Sequence, residues 1–312
     1  MEKKKKKENK QKKKTKKMKN RSRSRRLRMR KKSFDPEAKI TPMQDLVRQW
    51  KAKPLHGRYR SRIEDNAIDT KASQGWLQSG NLFLETEGFI ASIQDQVVPT
   101  KLYRKRIMHE NVDDIRCRIC GEKDEHIDHI VAGCSPLAPK QYLERHNDVA
   151  KILYQALAKK HLGETGTQPY YKYTPPPVIE TETSRLYWNR KIITDRPIPN
   201  NIPDIVLTLK EERTTFIIDI AVPLPTNIQT THAEKINKYL PLSDEIKRMW
   251  EMGNVSIIPV IIGATGEIPR KLHKSLEKLQ LHPKIYLQLQ KAALLGTCRT
   301  VRRVLGDENR IR

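Results

Sequence analysis

The sequence lacks any apolar run close to the length of a membrane span. Its longest, Val255 to Ala264, is interrupted by Pro259, whereas a helix that crosses a bilayer needs about 20 apolar residues. We therefore expect no membrane-spanning segment and predict that this run is a buried strand. The N-terminus also lacks the apolar stretch of a secretory signal, because it is charged from Glu2 onward. These two absences favour a soluble, intracellular protein.

Cysteine is scarce, with 4 in 312 residues. Because no secretory signal is evident, we expect a reducing compartment, where disulfides are rare and cysteines are more often metal ligands. Three of the four cysteines lie close together in the sequence. The fourth, Cys298, lies far from them and is expected to be a small core residue. The sequence also contains no internal repeat.

Acidic residues are almost absent from residues 1–33, which hold 20 Lys or Arg against 2 Glu. This segment carries +18 of the formal net charge of +26, which leaves +8 for the rest of the chain. Like charges with almost no apolar residues cannot bury enough surface to offset the entropy of ordering them. We predict a disordered arm that is drawn to a polyanion by counterion release. A nuclear address, alone or combined with non-specific phosphate binding, fits the same composition.

Beyond the arm, composition divides the chain into four segments. Residues 34–110 show mixed helical spacing, including a short amphipathic helix after Pro42, and are predicted to be a helical linker segment. Residues 111–162 hold the cysteine cluster and an amphipathic helix behind it. Residues 163–177 are polar and proline-rich, which is typical of a linker. Residues 178–308 alternate short β-rich runs with helices, and we predict that they form one domain.

The last segment has the pattern of an α/β domain. One strand is predicted from Leu186 to Thr194, and two more, Ile205 to Leu209 and Thr214 to Val222, form a hairpin. The buried strand runs from Val255 to Ile262. Helices are predicted over four ranges, of which Pro241 separates the first two by a kink or break: Thr230–Tyr239, Leu242–Trp250, Pro269–Leu279 and Ile285–Leu305. This mixture predicts a mixed sheet flanked by helices.

The three clustered cysteines have the spacing of a zinc knuckle. Cys117 and Cys120 are two residues apart within a tight turn, so their thiolates can meet one ion. His129 and Cys134 return a few residues later and complete a tetrahedron, in which all four positions are filled by protein. Thiolate and imidazole donors suit Zn²⁺ better than a hard cation. His126 is an alternative third ligand, although His129 gives the commoner spacing. We predict a structural zinc site.

Two carboxylates and a lysine form a second candidate site. Asp204 follows Pro203 at the start of one strand of the predicted hairpin, directly before Ile205, and Asp219 lies near the end of the other strand. The two carboxylates can therefore face each other and bind one hard cation. Lys235 and Lys238 share a face of the following helix, with Tyr239 beside them. A lysine next to a metal-bound water could orient the nucleophile or offset developing charge. A turn-forming Pro-Asp and an acid at a strand end are also common structural features, and spacing alone does not decide between the two interpretations.

A series of longer stretches runs from residue 117 to about 305. In order they are CRICGEKDEHIDHIVAGC, QYLERHNDVAKILYQALAKK, PDIVLTL, FIIDIAVP, EKINKYLPLSDEIKRMW, VSIIPVIIGATGEIPRKL and QKAALLGTCRTVRRVL. The series resembles the C-terminal region of non-LTR retrotransposon reverse transcriptase polyproteins, which carry a zinc knuckle and a restriction-like endonuclease. Upstream, HGRY, GWLQSGNL and TEGFIASIQDQVVPTKLYRK resemble the helical segment that precedes this knuckle.

The resemblance implies a restriction-endonuclease-like fold of the PD-(D/E)XK type and a metal-dependent endonuclease that nicks target DNA. It implies Asp204 and Asp219 as ligands of a catalytic Mg²⁺ or Mn²⁺. Lys235 would be the catalytic lysine, with Lys238 and Tyr239 in supporting positions, and the knuckle would help to grip DNA or RNA. The polymerase motif Tyr/Phe-x-Asp-Asp is absent, so no polymerase is expected. The alternative is a non-catalytic, zinc-dependent nucleic-acid-binding remnant of such an element, and either protein would be nuclear.

Overall fold

The structure is a computed structural model that describes residues 43–53, 55–164, 166 and 168–306. The predicted arm, residues 1–33, lies outside these ranges. The described residues from Gln49 onward belong to one compact unit. Within the described part of the chain, none of the helices has the length and apolar character that a bilayer span requires.

The first described segment is helical, as its spacing predicts. Six helices occupy it: α1 (Met43–Lys51), α2 (Arg58–Ile63), α3 (Thr70–Ser73), α4 (Gly75–Ser79), α5 (Leu84–Gln94) and α6 (Lys101–Arg106). Side-chain hydrogen bonds cap the N-termini of two of these helices, α3 and α6. The Asp69 carboxylate accepts from the N–H of Ala72 at 2.9 Å, and the Thr100 hydroxyl accepts from that of Tyr103 at 3.3 Å. These caps satisfy backbone donors that a helix leaves unpaired at its first turn.

A five-stranded mixed sheet confirms the predicted α/β class. Its strands are β1 (Val178–Glu180), β2 (Ser184–Trp188), β3 (Ile205–Leu209), β4 (Thr214–Ala221) and β5 (Asn254–Ile261), and they lie side by side in chain order. Strands β1 to β4 are antiparallel, and β5 is parallel to β4. The hairpin predicted between β3 and β4 is therefore confirmed.

Five further helices complete the described part of the chain. They are α7 (Ile127–Ala132), α8 (Leu143–His161), α9 (Ile228–Met249), α10 (Arg270–Lys278) and α11 (Ile285–Gly306). A 3₁₀ turn (Ser135–Leu137) and a π turn (Ala138–Tyr142) join α7 to α8. The helix predicted behind the cysteine cluster is α8, and the two predicted after β5 are α10 and α11.

Two sequence predictions were wrong in detail. The strand predicted to reach Thr194 ends at Trp188, because Asn189 adopts a left-handed conformation with φ 43° and Ile193 is 83% exposed. The two helices predicted on either side of Pro241 are one continuous helix, α9. Proline removes one backbone donor, but the apolar side chains of α9 on both sides of Pro241 pack against the sheet, and that burial outweighs the lost hydrogen bond.

Helices cover both faces of the sheet. On one face, α8, α10 and α11 pack against alternate side chains of the central strands, which is the period-2 pattern of a strand buried between layers. This main core includes Val149, Leu153, Leu207, Ile218 and Ala292. On the other face, α9 covers residues of opposite parity, including Val206, Ile217, Leu242 and Ile246. Side chains of β4 alternate between the two faces of the sheet. Asp219 is two residues after Ile217, so its side chain lies on the same face, which is the one that packs against α9.

A second apolar cluster joins segments that the sequence separates. It contains Trp76 of α4, Ile90 of α5, Ile130 of α7 and Val301 of α11, all buried. Cys298 is buried there too, which confirms that it is a core residue. The predicted domain limits stay predictions, but the helical segment, the cysteine cluster and the last helix share one core.

Candidate metal centre and acid–lysine site

A closed turn brings the first two cysteines together. The N–H of Cys117 donates to the carbonyl of Lys123 at 2.7 Å, and that of Gly121 donates to the carbonyl of Cys117 at 2.8 Å. Gly121 has φ +68°, a conformation that L side chains rarely adopt, so glycine is required where the turn reverses. Cys117 and Cys120 therefore stand on the inside of one turn.

The other two donors come from α7 and the residue just beyond it. His129 lies in α7, and Cys134 follows the Gly133 that ends this helix. The sulfur atoms of Cys117 and Cys134 are 3.9 Å apart, and Cys120 Sγ lies 3.4 Å from His129 Nε2. A tetrahedral zinc ion needs separations of about 3.8 Å between two sulfurs and about 3.5 Å between sulfur and nitrogen. The four donor atoms all lie within 4.8 Å of one another, and this cluster could hold a metal ion.

The structure resolves the choice between the two histidines. The Nδ1 atom of His126 accepts a hydrogen bond from the N–H of His129 at 3.2 Å, so His126 acts as the N-cap of α7. Capping uses its lone pair and leaves His129 to complete the cluster. Burial lowers the pKa of both imidazoles, which favours the neutral form that a metal ligand requires.

The thiols of the cluster have unequal acidities. Burial, together with the neighbouring Cys117, raises the pKa of Cys134 to about 12. The backbone N–H of Lys123 lowers the pKa of Cys120, although burial opposes this shift. An ion that binds both sulfurs must therefore displace the proton of Cys134, and binding becomes tighter as pH rises.

The side chains around the cluster fix its backbone. The Tyr142 hydroxyl accepts from the N–H of Cys134 at 3.1 Å and donates to the carbonyl of Ile130 at 2.8 Å. Glu125 is fully buried, and its carboxylate accepts two hydrogen bonds from the guanidinium of Arg118, at 2.7 and 2.8 Å. Tyr142 thus holds the backbone of one donor residue, and the Arg118–Glu125 pair lies within the loop between Cys117 and His129.

The hairpin brings the two predicted acids together. Ile205, the first residue of β3, pairs with Ile218 of β4, and Asp204 and Asp219 are the residues that directly precede Ile205 and follow Ile218. Asp219 is 1% exposed, while Asp204 is only partly covered. The Oδ2 atom of Asp204 accepts from the N–H of Ile220 at 2.6 Å. Among the described residues no hydrogen bond uses its Oδ1, so this oxygen is available to a cation.

The predicted lysines lie at the same place, on the first half of α9. The ammonium of Lys235 forms an ion pair with Asp219 Oδ2, and that of Lys238 lies 3.7 Å from Oδ1. The Tyr239 hydroxyl accepts from Lys238 at 2.9 Å and donates to the carbonyl of Ile202 at 3.2 Å. Burial, followed by the charge of Asp219, raises the pKa of Tyr239, so this hydroxyl stays protonated. All five predicted residues of the acid–lysine site thus lie close together.

One residue of the site was missed by sequence reasoning. His146, near the start of α8, places its Nε2 atom 3.0 Å from Asp204 Oδ2. Burial alone would raise the pKa of Asp204, but the hydrogen bond and charge of His146 hold it below its usual range. Burial likewise opposes a charge on His146, and the hydrogen bond to Asp204 nevertheless raises the pKa of the imidazole.

A sequence signal for His146 did exist. The apolar stripe of α8 contains Val149, Leu153 and Leu157, and extending it toward the N-terminus by three or four residues reaches His146 and Arg145. Both are polar, which is why a search for an apolar stripe passes over them.

No family model matches this chain, and no curated protein matches it. The likeness to retrotransposon polyproteins therefore depends on the quoted sequence stretches alone and stays a prediction.

Proposed function

We propose that the protein is a metal-dependent DNA endonuclease with a structural zinc site and no polymerase activity. The observation that carries this proposal is the arrangement of Asp204, Asp219 and Lys235. One carboxylate just before β3, a second in the neighbouring strand β4 and one ammonium from the next helix lie together at one edge of the hairpin. This arrangement is consistent with a restriction-endonuclease-like fold of the PD-(D/E)XK type.

The residues present fit a hard divalent cation. Carboxylate oxygens are the ligands that Mg²⁺ and Mn²⁺ prefer, and Asp204 Oδ1 and the Asp219 carboxylate would supply them. Such a cation lowers the pKa of a bound water and neutralises charge on a phosphate. Each acid has contacts of its own: the Asp204 carboxylate accepts from the N–H of Ile220, and the Asp219 carboxylate lies beside the ammonium groups of the two lysines.

The lysines contribute positive charge where a phosphodiester would bind. The ammonium of Lys235 lies beside Asp219. From there it would orient the attacking water or offset the negative charge that develops on a phosphate bound at the acids. Lys238 is held by Tyr239, which in turn is anchored to the carbonyl of Ile202. Tyr239 therefore has a supporting role and positions Lys238.

At the other site, we propose that the ion is Zn²⁺ and that its role is structural. Three sulfurs and one imidazole fill a tetrahedron, so no position stays open for a substrate. The knuckle would hold its part of the fold in shape and help to grip DNA or RNA. With residues 1–33 attracting phosphate through their excess of 18 positive charges, nucleic acid in the nucleus is the proposed partner.

The endonuclease is tested by the conversion of supercoiled plasmid to open circles with Mg²⁺ or Mn²⁺. We expect Asp219→Asn to lower the nicking rate at least about 100-fold, the scale on which removing one electrostatic group of a catalytic site acts. Asp195→Asn is the matched control, because Asp195 is an exposed acid paired with Arg248 outside the site, and it should nick at the wild-type rate.

Two results would contradict the endonuclease. One is equal nicking by wild type and Asp219→Asn, with circular dichroism showing both folded. The other is a wild-type protein that shifts DNA on a gel and binds zinc but nicks nothing with either cation. The second result would leave the alternative, a non-catalytic nucleic-acid-binding remnant.

A further inference from the structure

We propose that His146 is a positioning residue that fixes the rotation of Asp204, so that one carboxylate of the acid site is held from helix α8. The inference rests on the proposed endonuclease, since it assigns a role within the same site. His146 belongs to neither the hairpin nor the lysine helix. It reaches Asp204 from a part of the chain 58 residues away.

The contacts of Asp204 explain what His146 adds. Asp204 Oδ2 receives two donors, His146 Nε2 at 3.0 Å and the N–H of Ile220 at 2.6 Å. Two donors on the same oxygen fix the carboxylate plane, and the other oxygen, Oδ1, is left to a cation. With the Ile220 N–H alone, the carboxylate could turn about its χ2 torsion, which is soft for an aspartate. His146 itself is held on its other side, where Nδ1 lies 3.1 Å from Asn147 Oδ1.

The start of α8 is fixed by hydrogen bonds to the backbone around the Cys/His cluster. Tyr142, one helical turn before His146, bonds the N–H of Cys134 and the carbonyl of Ile130. Arg145 donates to the carbonyl of Val131 in α7 at 2.9 Å, and also to that of Val222, just beyond β4, at 3.3 Å. The guanidinium thus ties the knuckle to the strand that carries Asp219.

Gly296 in α11 leaves the space that the side chain of Arg145 occupies. A Cβ placed on Gly296 would lie 2.6 Å from Cγ and 2.8 Å from Cβ of Arg145. Any larger residue would displace Arg145 and the turn of α8 that carries His146. The placement of His146 therefore depends on close packing between α8 and α11, in addition to its own hydrogen bonds.

The test measures Mn²⁺ binding to the zinc-loaded full chain by electron paramagnetic resonance, together with the Mn²⁺ concentration that gives half-maximal nicking. We expect His146→Leu to raise both the dissociation constant and this concentration about 10- to 100-fold, the usual effect of losing a partner that orients a metal ligand. His146→Gln keeps an N–H donor at a similar reach and should restore most of the affinity. A residue that only fills space would not show this rescue.

The matched control is His161→Leu, the same substitution in the same helix. His161 lies in the last turn of α8, and its Nε2 has no hydrogen-bond partner among the described residues. It should leave both Mn²⁺ values and the zinc content unchanged. If His146→Leu does not fold, His146→Asn replaces it, because its shorter amide cannot reach Asp204.

The outcomes separate this inference from the proposed function. Unchanged Mn²⁺ affinity in His146→Leu, with nicking by the wild type intact, overturns the inference alone. Equal defects in His146→Gln and His146→Leu also overturn it, because the hydrogen bond would then be irrelevant. If the wild-type chain binds no Mn²⁺ and does not nick DNA, the proposed endonuclease function is refuted, and the proposed role of His146 is refuted with it.

Discussion

Removing the Tyr142 hydroxyl should weaken zinc binding without touching a ligand. In Tyr142→Phe the ring keeps its place, but Cys134 loses the acceptor of its N–H and Ile130 loses a donor to its carbonyl. Cys134 is fully buried, so water cannot replace the lost partner. The change therefore acts on the backbone that presents one of the four donor atoms.

The size of the effect follows from the lost hydrogen bond. A buried donor left without a partner costs about 1–3 kcal/mol. A bound ion would hold Cys134 in place, so the metal-bound state could not relieve the unpaired N–H by rotating it. If all of this cost appears in binding, zinc affinity falls by about 5- to 150-fold.

The measurement is a competition for Zn²⁺ between the protein and a chromophoric chelator at fixed pH. Tyr154→Phe is the control, since it removes a tyrosine hydroxyl from α8 itself, where it donates to the carbonyl of Pro176 at 3.0 Å. This control should lower the free energy of unfolding by about 1 kcal/mol and leave zinc affinity at the wild-type value. Equal zinc affinity in Tyr142→Phe and wild type would refute the reasoning, and so would an equal loss in both variants.

Two further predictions concern the rest of the fold. Leu153 is fully buried in the main core, so Leu153→Ala should lower the free energy of unfolding, measured in urea, by about 2–5 kcal/mol. A loss below about 1 kcal/mol would mean that α8 does not pack on the sheet. Glu267 is fully buried, and burial raises its pKa even though Thr265 donates to it and the charge of Arg62 opposes the shift. The wild type therefore loses stability as pH rises from the unfolded-state pKa through the raised folded-state value, and the gain in melting temperature of Glu267→Gln should be larger at about pH 8 than at about pH 4. A gain that does not vary with pH would contradict this pKa shift.

The grouping of the Cys and His side chains was predictable because the information for it is local. Cys117, Cys120, His129 and Cys134 lie within one short stretch, and their spacing alone indicates which atoms can meet. The hairpin is local in the same sense, since β3 and β4 are joined by a short turn with Arg213 at φ 46°. Asp204 and Asp219 could therefore be expected to face each other before any long-range packing was known.

The errors and omissions arise where tertiary packing decides. Local backbone chemistry predicts a break in α9 at Pro241, but packing on the sheet keeps the helix continuous. The early end of β2 depends on the left-handed Asn189, whose N–H donates to the carbonyl of Asp204 at 2.7 Å. No local pattern predicts that bond, because its two residues lie beside different strands of the final sheet.

Helix α8 is the element that the acid site and the candidate metal centre share. The turn that leads into it supports Cys134 through Tyr142, its first turn supports Asp204 through His146, and its later turns fill one face of the sheet with Leu153 and Leu157. Residues 178–308 alone would keep the acids and lysines but would expose that face and lose the second donor to Asp204. The physical unit that carries the acid site therefore includes α8, and through α8 it includes the backbone of the Cys/His cluster.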